Sequence, residues 1–258
     1  MNKFSGTGKV IHAGNMSYPF ALGLMKTIVN IKQKKTWPEI LLLLEHPPTI
    51  TLGKRATAKD ILVTDRVLGS YGIGVHKVER GGFATYHGPG QLVGYILMDL
   101  KRNHMSPEQL VDRIETAIIH ALSKYCINAG RYRGHRGVWV ETKKIASIGI
   151  AVQGGITFHG FALNCNPTLS HFDFINPCGL KPGTMTSITE LSGVSISPDD
   201  IKQSLANHLK DHIGIDFSIN SLNQLLEKVH DEQKRRGRIR GTPSRSPASP
   251  QIGELLPQ

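Results

Sequence analysis

GVWVETKKIASIGIAVQGGITFHGFALNCN, residues 137–166, is the stretch of sequence that decides the fold. It is rich in β-branched and aromatic residues, and turn residues interrupt it at 142–143 and at 154–155. Between these turns, the isoleucines and valine of residues 148–152 alternate with smaller residues, as one face of a strand should. The stretch therefore predicts consecutive strands of one sheet.

Upstream of this stretch, the pattern predicts a helix and then a buried strand. Residues 18–35 carry apolar side chains at helical spacing, which is typical of an amphipathic helix. Residues 40–44 form a short and continuous apolar run, which suits a strand that is buried on both faces. Two prolines, Pro47 and Pro48, follow that strand and end it.

Two further helices are marked by their first residues. Ser106 can cap a helix, Pro107 suits the first helical position, and Gln109 completes a capping box. Another helix is predicted to begin at Ser197 and to continue to about His212. Helices that flank a mixed sheet define the expected fold class, which is α/β (α+β).

Charge is concentrated near the carboxyl end of the chain. The formal net charge is +11, and residues 233–258 carry six basic residues and one acidic residue, which leaves +6 for the remainder. Because this segment is also rich in Pro, Ser and Gly, we expect a catalytic domain at 1–232 and a disordered tail at 233–258. The basic residues of the domain are scattered and not interleaved with aromatic residues, so we do not expect a nucleic-acid partner.

No run of about 18 apolar residues occurs, and the first residues lack the features of a signal peptide. The three cysteines have no CxxC spacing, so neither a disulfide framework nor a zinc site is indicated. We therefore expect a cytoplasmic protein with free thiols and no membrane segment.

The segment RGGFATYHGPGQLVGYI, residues 80–96, has the composition of a binding loop. It holds five glycines and a proline around Thr85, Tyr86, His87 and Gln91. Glycines let the backbone approach a ligand closely, while a few polar side chains fix its orientation.

The best candidate for a nucleophile is Cys178, which lies in INPCGLKPG between residues that favour a tight, accessible loop. Cys126 and Cys165 are interpreted as small buried hydrophobic residues. A cysteine nucleophile needs a lowered pKa or a base, and His87, His159 and Lys144 are the candidates. The residues alone do not show which of these three activates the cysteine. No group of potential ligands has the close spacing that indicates a metal site.

Five segments together resemble one known family. RGGFATYHGPGQLV, KIASIGIAV, HGFALN and NPCG have the order and spacing found in the octanoyltransferases of lipoate biosynthesis, and EHPPTITLG is similar to an early strand of that family. The resemblance implies the fold of lipoate and biotin protein ligases. It also implies an acyltransferase that needs no cofactor and that carries out the first step of endogenous protein lipoylation. The expected donor is octanoyl-acyl carrier protein, and the expected acceptors are lipoyl domains of 2-oxoacid dehydrogenases and the glycine cleavage H protein.

The same resemblance assigns roles to individual residues. It implies that Cys178 becomes an acyl thioester and that Lys144 lowers the pKa of this thiol. His159 and Gln91 are further candidates. The implied substrate-binding residues are Arg80, Gly81, Gly82, Phe83, Ala84, Thr85, Tyr86, His87, Ser147, Ile148, Gly149, Gly160, Phe161 and Ala162.

Three rival interpretations remain open at the level of sequence. A lipoate or biotin ligase would share the fold but would form an adenylate from ATP. An amidotransferase would move octanoyl groups between proteins and would also use a cysteine. A non-catalytic module would bind lipoyl domains or nucleic acid through its basic surface.

Overall fold

The computed structural model describes residues 6–176 and 183–239, with the side chains of 236–239 excepted. Short 3-10 helices occupy Ala58–Asp60 and Leu169–Phe174. The described strands are β1 (Gly6–Asn15), β2 (Glu39–Glu45), β3 (Thr49–Leu52), β4 (Gly74–Lys77), β5 (Ala84–His87), β6 (Gln91–Leu97), β7 (Gly130–Tyr132), β8 (His135–Val140), β9 (Lys143–Gln153), β10 (Ile156–Asn164) and β11 (Ile215–Asn220). The described helices are α1 (Tyr18–Lys32), α2 (Asp65–Ser70), α3 (Pro107–Ser123), α4 (Ile188–Ser192), α5 (Pro198–Ile213) and α6 (Leu222–Ile239).

The stretch 137–166 forms most of β8 together with β9 and β10, as its alternation predicts. Strands β9 and β10 make a hairpin in which Gln153 pairs with Ile156 across the Gly154-Gly155 turn. The preceding turn lies at residues 141–142, one residue earlier than expected. There Glu141 adopts a left-handed φ of 53°.

The hairpin belongs to a large mixed sheet with the strand order β11-β1-β2-β6-β10-β9-β8-β7. Strand β1 pairs parallel to both β11 and β2, whereas the remaining neighbours pair antiparallel. Strand β2 is almost fully buried along its length, because helices cover both faces of the sheet at this point. The predicted mixed sheet flanked by helices is confirmed.

Each face of the large sheet has its own helical layer. Apolar side chains of α1 and α6 form one core against β1, β2 and β6, and those of α3 and α5 form a second core on the opposite face. The capping box of α3 is present, since Ser106 Oγ accepts from Gln109 N at 3.2 Å and Gln109 Oε1 accepts from Ser106 N at 2.8 Å. Burial of these apolar faces contributes most of the stability of the layers.

A small sheet of order β4-β3-β5 lies beside the large one and has a separate core that includes Ile50, Tyr86 and Phe172. Strand β3 pairs parallel to β4 and antiparallel to β5. The loop that connects β4 to β5 carries residues 80–83, so the small sheet fixes both ends of this loop, which is the first part of the glycine-rich segment.

Two further features differ from what the sequence predicts. Cys126 is exposed, not buried, because it follows α3 in a turn with a left-handed φ of 56°. Helix α6 continues to residue 239, so the boundary expected at 233 falls inside a helix. Residues 240–258, most of the expected tail, lie outside the described residues. Across the part of the chain that the structure describes, no helix has both the length and the apolar character to cross a bilayer.

Candidate active site

A cavity of about 550 Å³ lies where the large sheet meets the glycine-rich segment. Strands β9 and β10 form one wall, residues 80–83 and strand β5 form another, and the β7–β8 turn lies at the rim. The residues that line the cavity are Tyr18, Arg55, Arg80, Gly81, Gly82, Phe83, Thr85, His87, Tyr95, Gly134, His135, Arg136, Lys144, Ser147, Ile148, Gly149, His159, Gly160, Phe161 and Ala162.

A β-bulge in β9 explains how Lys144 and Ser147 reach the same cavity. Val138 pairs with Ala146, but the next residue of β8, Trp139, pairs with Lys144. One extra residue, Ile145, is therefore inserted in β9, and such an insertion reverses the alternation of faces. Without it, side chains three positions apart would point to opposite faces of the strand.

The side chain of Lys144 is buried, with only 3% of the residue exposed. Its Nζ lies 5.5 Å from the centre of the Trp139 ring, within the range of a cation–π contact. A Cβ at Gly137 would lie 2.5 Å from Lys144 Cε, so the glycine provides the space that the lysine occupies. Gly137 also adopts a φ of 118°, which favours glycine. The neighbouring Lys143 is instead exposed and forms an ion pair with Glu190.

The backbone of Lys144 is fixed by the chain that follows residue 182. Lys144 N donates to Thr184 O at 2.8 Å, and Thr186 N donates to Lys144 O at 3.0 Å. At the other end of the undescribed segment, Asn176 N donates to Asp60 O at 2.9 Å. Cys178 lies in the segment 177–182, outside the described residues.

The guanidinium of Arg80 holds the glycine-rich loop against the small sheet. Arg80 Nη2 donates to Thr51 O at 2.7 Å and to Thr51 Oγ1 at 2.8 Å. On the opposite side of the loop, Gly81 N donates to Ile150 O at 3.1 Å. A Cβ on Gly149 would lie 3.1 Å from Gly81 O, so the absence of a side chain lets loop and strand approach closely.

Uncharged rings pack beneath the cavity. His46 Nδ1 lies 2.5 Å from Met16 O, a carbonyl that can only accept, so this nitrogen carries the proton. His46 Nε2 then accepts from the Tyr95 hydroxyl at 2.7 Å. Burial lowers the pKa of His46 to about 4 and raises the pKa of Tyr95 well above its usual value. Tyr18 stacks on His87 with ring centres 6.2 Å apart.

The two cavity histidines that the sequence proposed as bases are also neutral near pH 7. Burial, with the nearby Arg80 charge, lowers the pKa of His159 to about 3. Burial and His46 lower the pKa of His87 well below its ordinary value. His159 also adopts a left-handed φ of 58°, which is uncommon for a residue other than glycine. Neither imidazole therefore contributes positive charge to the cavity.

Positive charge in the cavity comes from Lys144, Arg55 and Arg80, whereas the guanidinium of Arg136 forms ion pairs with Asp112 and Glu115. The guanidinium of Arg55 lies 4.5 Å from the centre of the Phe83 ring. Apolar surface comes from Ile148 and from the β10 residues Phe161 and Ala162. The cavity thus combines an apolar wall with cations, an arrangement that can hold an apolar chain beside an anionic group.

All of the proposed substrate-binding residues except Ala84 and Tyr86 line this cavity, and the further candidate Gln91 does not. Ala84 and Tyr86 point into the small core, because they alternate along β5 with Thr85 and His87, which face the cavity. Gln91 is buried, and its Nε2 donates to Tyr86 O at 3.2 Å and to Asn164 Oδ1 at 3.1 Å. The lining residues that the sequence patterns do not predict are Tyr18, Arg55, Tyr95, Gly134, His135 and Arg136.

Little in the sequence marks the missed residues. Tyr18 and Tyr95 lie within regular elements whose apolar pattern explains them without a site. Arg55 lies two residues after EHPPTITLG, and Arg136 lies in the basic run RYRGHRG at 131–137, so both are close in sequence to segments that the sequence patterns did single out. Within the described residues, the one group of three potential metal ligands lies away from this cavity, on α3 and α5.

The fold and the cavity define a protein of the lipoyl protein ligase A/B catalytic-domain class, whose family model matches residues 17–210. A lipoate-protein ligase A solved with bound ATP has a TM-score of 0.70 at 18% identity, and the similarity covers 89% of this chain and 95% of that one. A bipartite lipoate protein ligase from Thermoplasma acidophilum also has a TM-score of 0.70 at 18% identity, covering 90% and 93%. At these identities the likeness establishes the fold.

Closer relatives narrow the class. The octanoyltransferase of Desulforamulus reducens is 40% identical over 195 residues, which cover 75% of this chain and 84% of the relative. That of Caldicellulosiruptor bescii is 39% identical over 220 residues, which cover 84% and 96%. The chain belongs to the lipoyl protein ligase A/B catalytic-domain family and is an acyltransferase of lipoate metabolism that transfers octanoyl groups in protein lipoylation.

Proposed function

We propose that this enzyme takes the octanoyl group from octanoyl-acyl carrier protein, holds it as a thioester on Cys178, and passes it to a lysine of a lipoyl domain. The observation that carries the proposal is the buried ammonium of Lys144, which lies in one cavity with the apolar wall of Ile148, Phe161 and Ala162. The pairing of Lys144 with Thr184 and Thr186 further supports it, since these residues closely follow Cys178 in the chain.

In the first half-reaction, the thiolate of Cys178 attacks the carbonyl carbon of the donor thioester. The new C–S bond to Cys178 forms, the C–S bond to the carrier breaks, and the carrier leaves as a thiolate that takes up a proton. A thiolate is the reactive form of cysteine, and an ammonium nearby stabilises it relative to the thiol. Lys144 supplies that positive charge, because the pKa values of His87 and His159 are lowered so far that both are neutral.

In the second half-reaction, the acceptor lysine must lose a proton before its amine can attack the Cys178 thioester. Lys144, once it has given its proton to the departing carrier, takes this proton as a general base. The C–N bond of the amide forms and the C–S bond to Cys178 breaks, which regenerates the thiolate. Lys144 is again an ammonium, and the second proton of the amine nitrogen is released to solvent. Because a thioester is replaced by an amide, the transfer needs no ATP and no cofactor.

The charges support an acidic macromolecule as donor. Arg55 and Arg80 line the cavity, and the chain has a net charge of +11. Positive surfaces of this kind accelerate the approach of acidic partners. We propose lipoyl domains of 2-oxoacid dehydrogenases and the glycine cleavage H protein as acceptors. We place the reaction in the cytoplasm, where a catalytic thiol stays reduced.

Mass spectrometry of the intact protein tests the covalent step. After incubation with octanoyl-acyl carrier protein, wild type should gain the mass of one octanoyl group, and Cys178→Ser should not gain this adduct as a hydroxylamine-labile thioester. Cys126→Ser is the matched control and should behave as wild type, since Cys126 is an exposed cysteine outside the cavity. A labile adduct that persists in Cys178→Ser would refute the proposal. Pyrophosphate release from ATP and free octanoate would instead identify a ligase.

A further inference from the structure

A cluster of three histidines lies on the pair formed by α3 and α5, apart from the residues that line the cavity. His120 belongs to α3, and His208 and His212 belong to α5. One ring nitrogen of each lies within 4.8 Å of the others. His120 Nδ1 and His212 Nε2 are 2.8 Å apart.

The packing of the two helices explains why these side chains meet. His208 and His212 are four residues apart and therefore share one face of α5. Arg113 Nη1 donates to Ile213 O at 3.1 Å, and the Tyr125 hydroxyl donates to Asp200 O at 3.2 Å. The end of α5 thus lies near the middle of α3 and its start lies just beyond the end of α3, so the helices run antiparallel. Side chains between these two contacts face each other.

The spacing of the nitrogens suits one tetrahedral ion. With Zn–N bonds of about 2.0 to 2.1 Å, two ligands of a tetrahedral zinc are roughly 3.3 Å apart. The separations in the cluster, from 2.8 Å between His120 and His212 up to 4.8 Å, bracket this value, so small rotations of the side chains suffice. His120 is exposed and the other two are half-buried, which leaves a fourth position for water.

The donor set selects the class of metal. Three imidazoles without a carboxylate favour Zn²⁺, Ni²⁺, Co²⁺ or Cu²⁺ over Mg²⁺ or Ca²⁺, which prefer oxygen. We propose that His120, His208 and His212 form a site for a divalent transition-metal ion, Zn²⁺ foremost, that links α3 to α5. Because the ion binds the folded state, it stabilises this pair of helices and with it the second core of the large sheet.

Cobalt binding to the full chain without an affinity tag tests this site. Co²⁺ should bind with one-to-one stoichiometry, give the visible absorption of a tetrahedral complex, and be displaced by Zn²⁺. Zn²⁺ should also raise the melting temperature. His212→Ala should weaken binding by at least about 100-fold, since even the loss of an outer-shell partner of a metal ligand costs 10- to 100-fold. His208→Ala should do the same.

His230→Ala is the matched control, because His230 is an exposed histidine of α6 outside the cluster. It should bind Co²⁺ as wild type does. All variants should retain octanoyl transfer, which confirms that they are folded. Equal Co²⁺ affinity in wild type, His208→Ala and His212→Ala would overturn the proposal. Loss of the ion in Cys178→Ser with the histidines intact would also overturn it, by assigning the metal to the thiol.

Discussion

The amide of Lys144 donates a 2.8 Å hydrogen bond to the carbonyl of Thr184, and Thr186 N returns a bond of 3.0 Å to the carbonyl of Lys144. These two bonds join the bulged part of β9 directly to the chain that follows residue 182. The position of the buried ammonium is therefore coupled to the segment that bears the proposed nucleophile. A change at Lys144 should alter the chemistry of that segment without a large loss of stability.

Replacing Lys144 by methionine should reduce the reactivity of Cys178. Methionine keeps the length of the side chain but removes the charge, so the thiolate loses the cation that stabilises it. The pH profile of iodoacetamide labelling of Cys178 should shift to higher pH, and both half-reactions should slow by about 100-fold or more. The measurement needs a Cys126→Ser background, because Cys126 is exposed, whereas burial raises the pKa of Cys165 to about 12.

Lys143→Met provides the control for this experiment. Lys143 is adjacent in sequence, yet it is exposed and paired with Glu190. Its loss should leave the labelling profile unchanged. If Lys144→Met and Lys143→Met gave the same profile as wild type, Lys144 would have no part in forming the thiolate.

Replacing Arg55 by glutamine should weaken the use of the donor protein. Arg55 is exposed at the cavity, so removing its charge should raise the KM for octanoyl-acyl carrier protein by about two- to fivefold, which is the range expected for an exposed charge. The dependence of kcat/KM on salt should become less steep. Arg66→Gln, an exposed arginine of α2 outside the cavity, should leave both quantities unchanged. If the salt dependence of kcat/KM were identical in Arg55→Gln and wild type, the charge of Arg55 would have no part in attracting the donor protein.

Local patterns predicted the regular elements of this protein because the information for them is local. The Gly154-Gly155 turn and the alternation beside it are sufficient for the β9–β10 hairpin, and the Ser106 capping box is sufficient for the start of α3. The bulge at Ile145 was not predictable in this way, since it depends on how β9 pairs with β8. It is nonetheless the feature that turns Lys144 and Ser147 toward one cavity.

The candidate site was predicted as contiguous stretches, and the structure divides one of them. A strand sends neighbouring side chains to opposite faces, so Thr85 and His87 face the cavity while Ala84 and Tyr86 enter the small core. The alternation of β5 could have indicated this division. Tyr95 could not be predicted in this way, because it lines the cavity only through the tertiary packing that places β6 below the cavity.

Enlarging Ala162 to leucine should shift the preferred acyl chain to a shorter one. Ala162 is buried and lines the cavity, so three added carbons occupy volume that an acyl chain would otherwise fill. Each methylene that can no longer be buried costs about 0.8 kcal/mol. The kcat/KM for octanoyl transfer should fall by about tenfold or more, with a smaller loss for hexanoyl. Competition between the two donors, followed by mass spectrometry of the acceptor, measures this ratio.

Val152→Leu is the control for chain length, because Val152 lies on the same hairpin but is exposed and outside the cavity. It should keep the ratio of octanoyl to hexanoyl transfer found in wild type. If Ala162→Leu also keeps that ratio, the acyl chain does not extend toward this part of β10.

Acid should destabilise the protein through the neutral histidines beneath the cavity. The pKa of His46 is about 4 in the folded state, compared with 6.5 for an unperturbed histidine, so between these values the unfolded chain binds a proton that the folded chain does not. The free energy of unfolding should therefore fall as the pH decreases from about 6.5 to about 4, and His46 alone accounts for roughly 3 kcal/mol of this loss. His159, with a pKa of about 3, adds a loss of the same sign.

Urea unfolding at a series of pH values measures how steeply the free energy of unfolding depends on pH. His46→Gln should show a smaller slope in this window, whereas His230→Gln, which changes an exposed histidine, should keep that of wild type. An unchanged slope in His46→Gln would mean that burial does not hold this imidazole neutral.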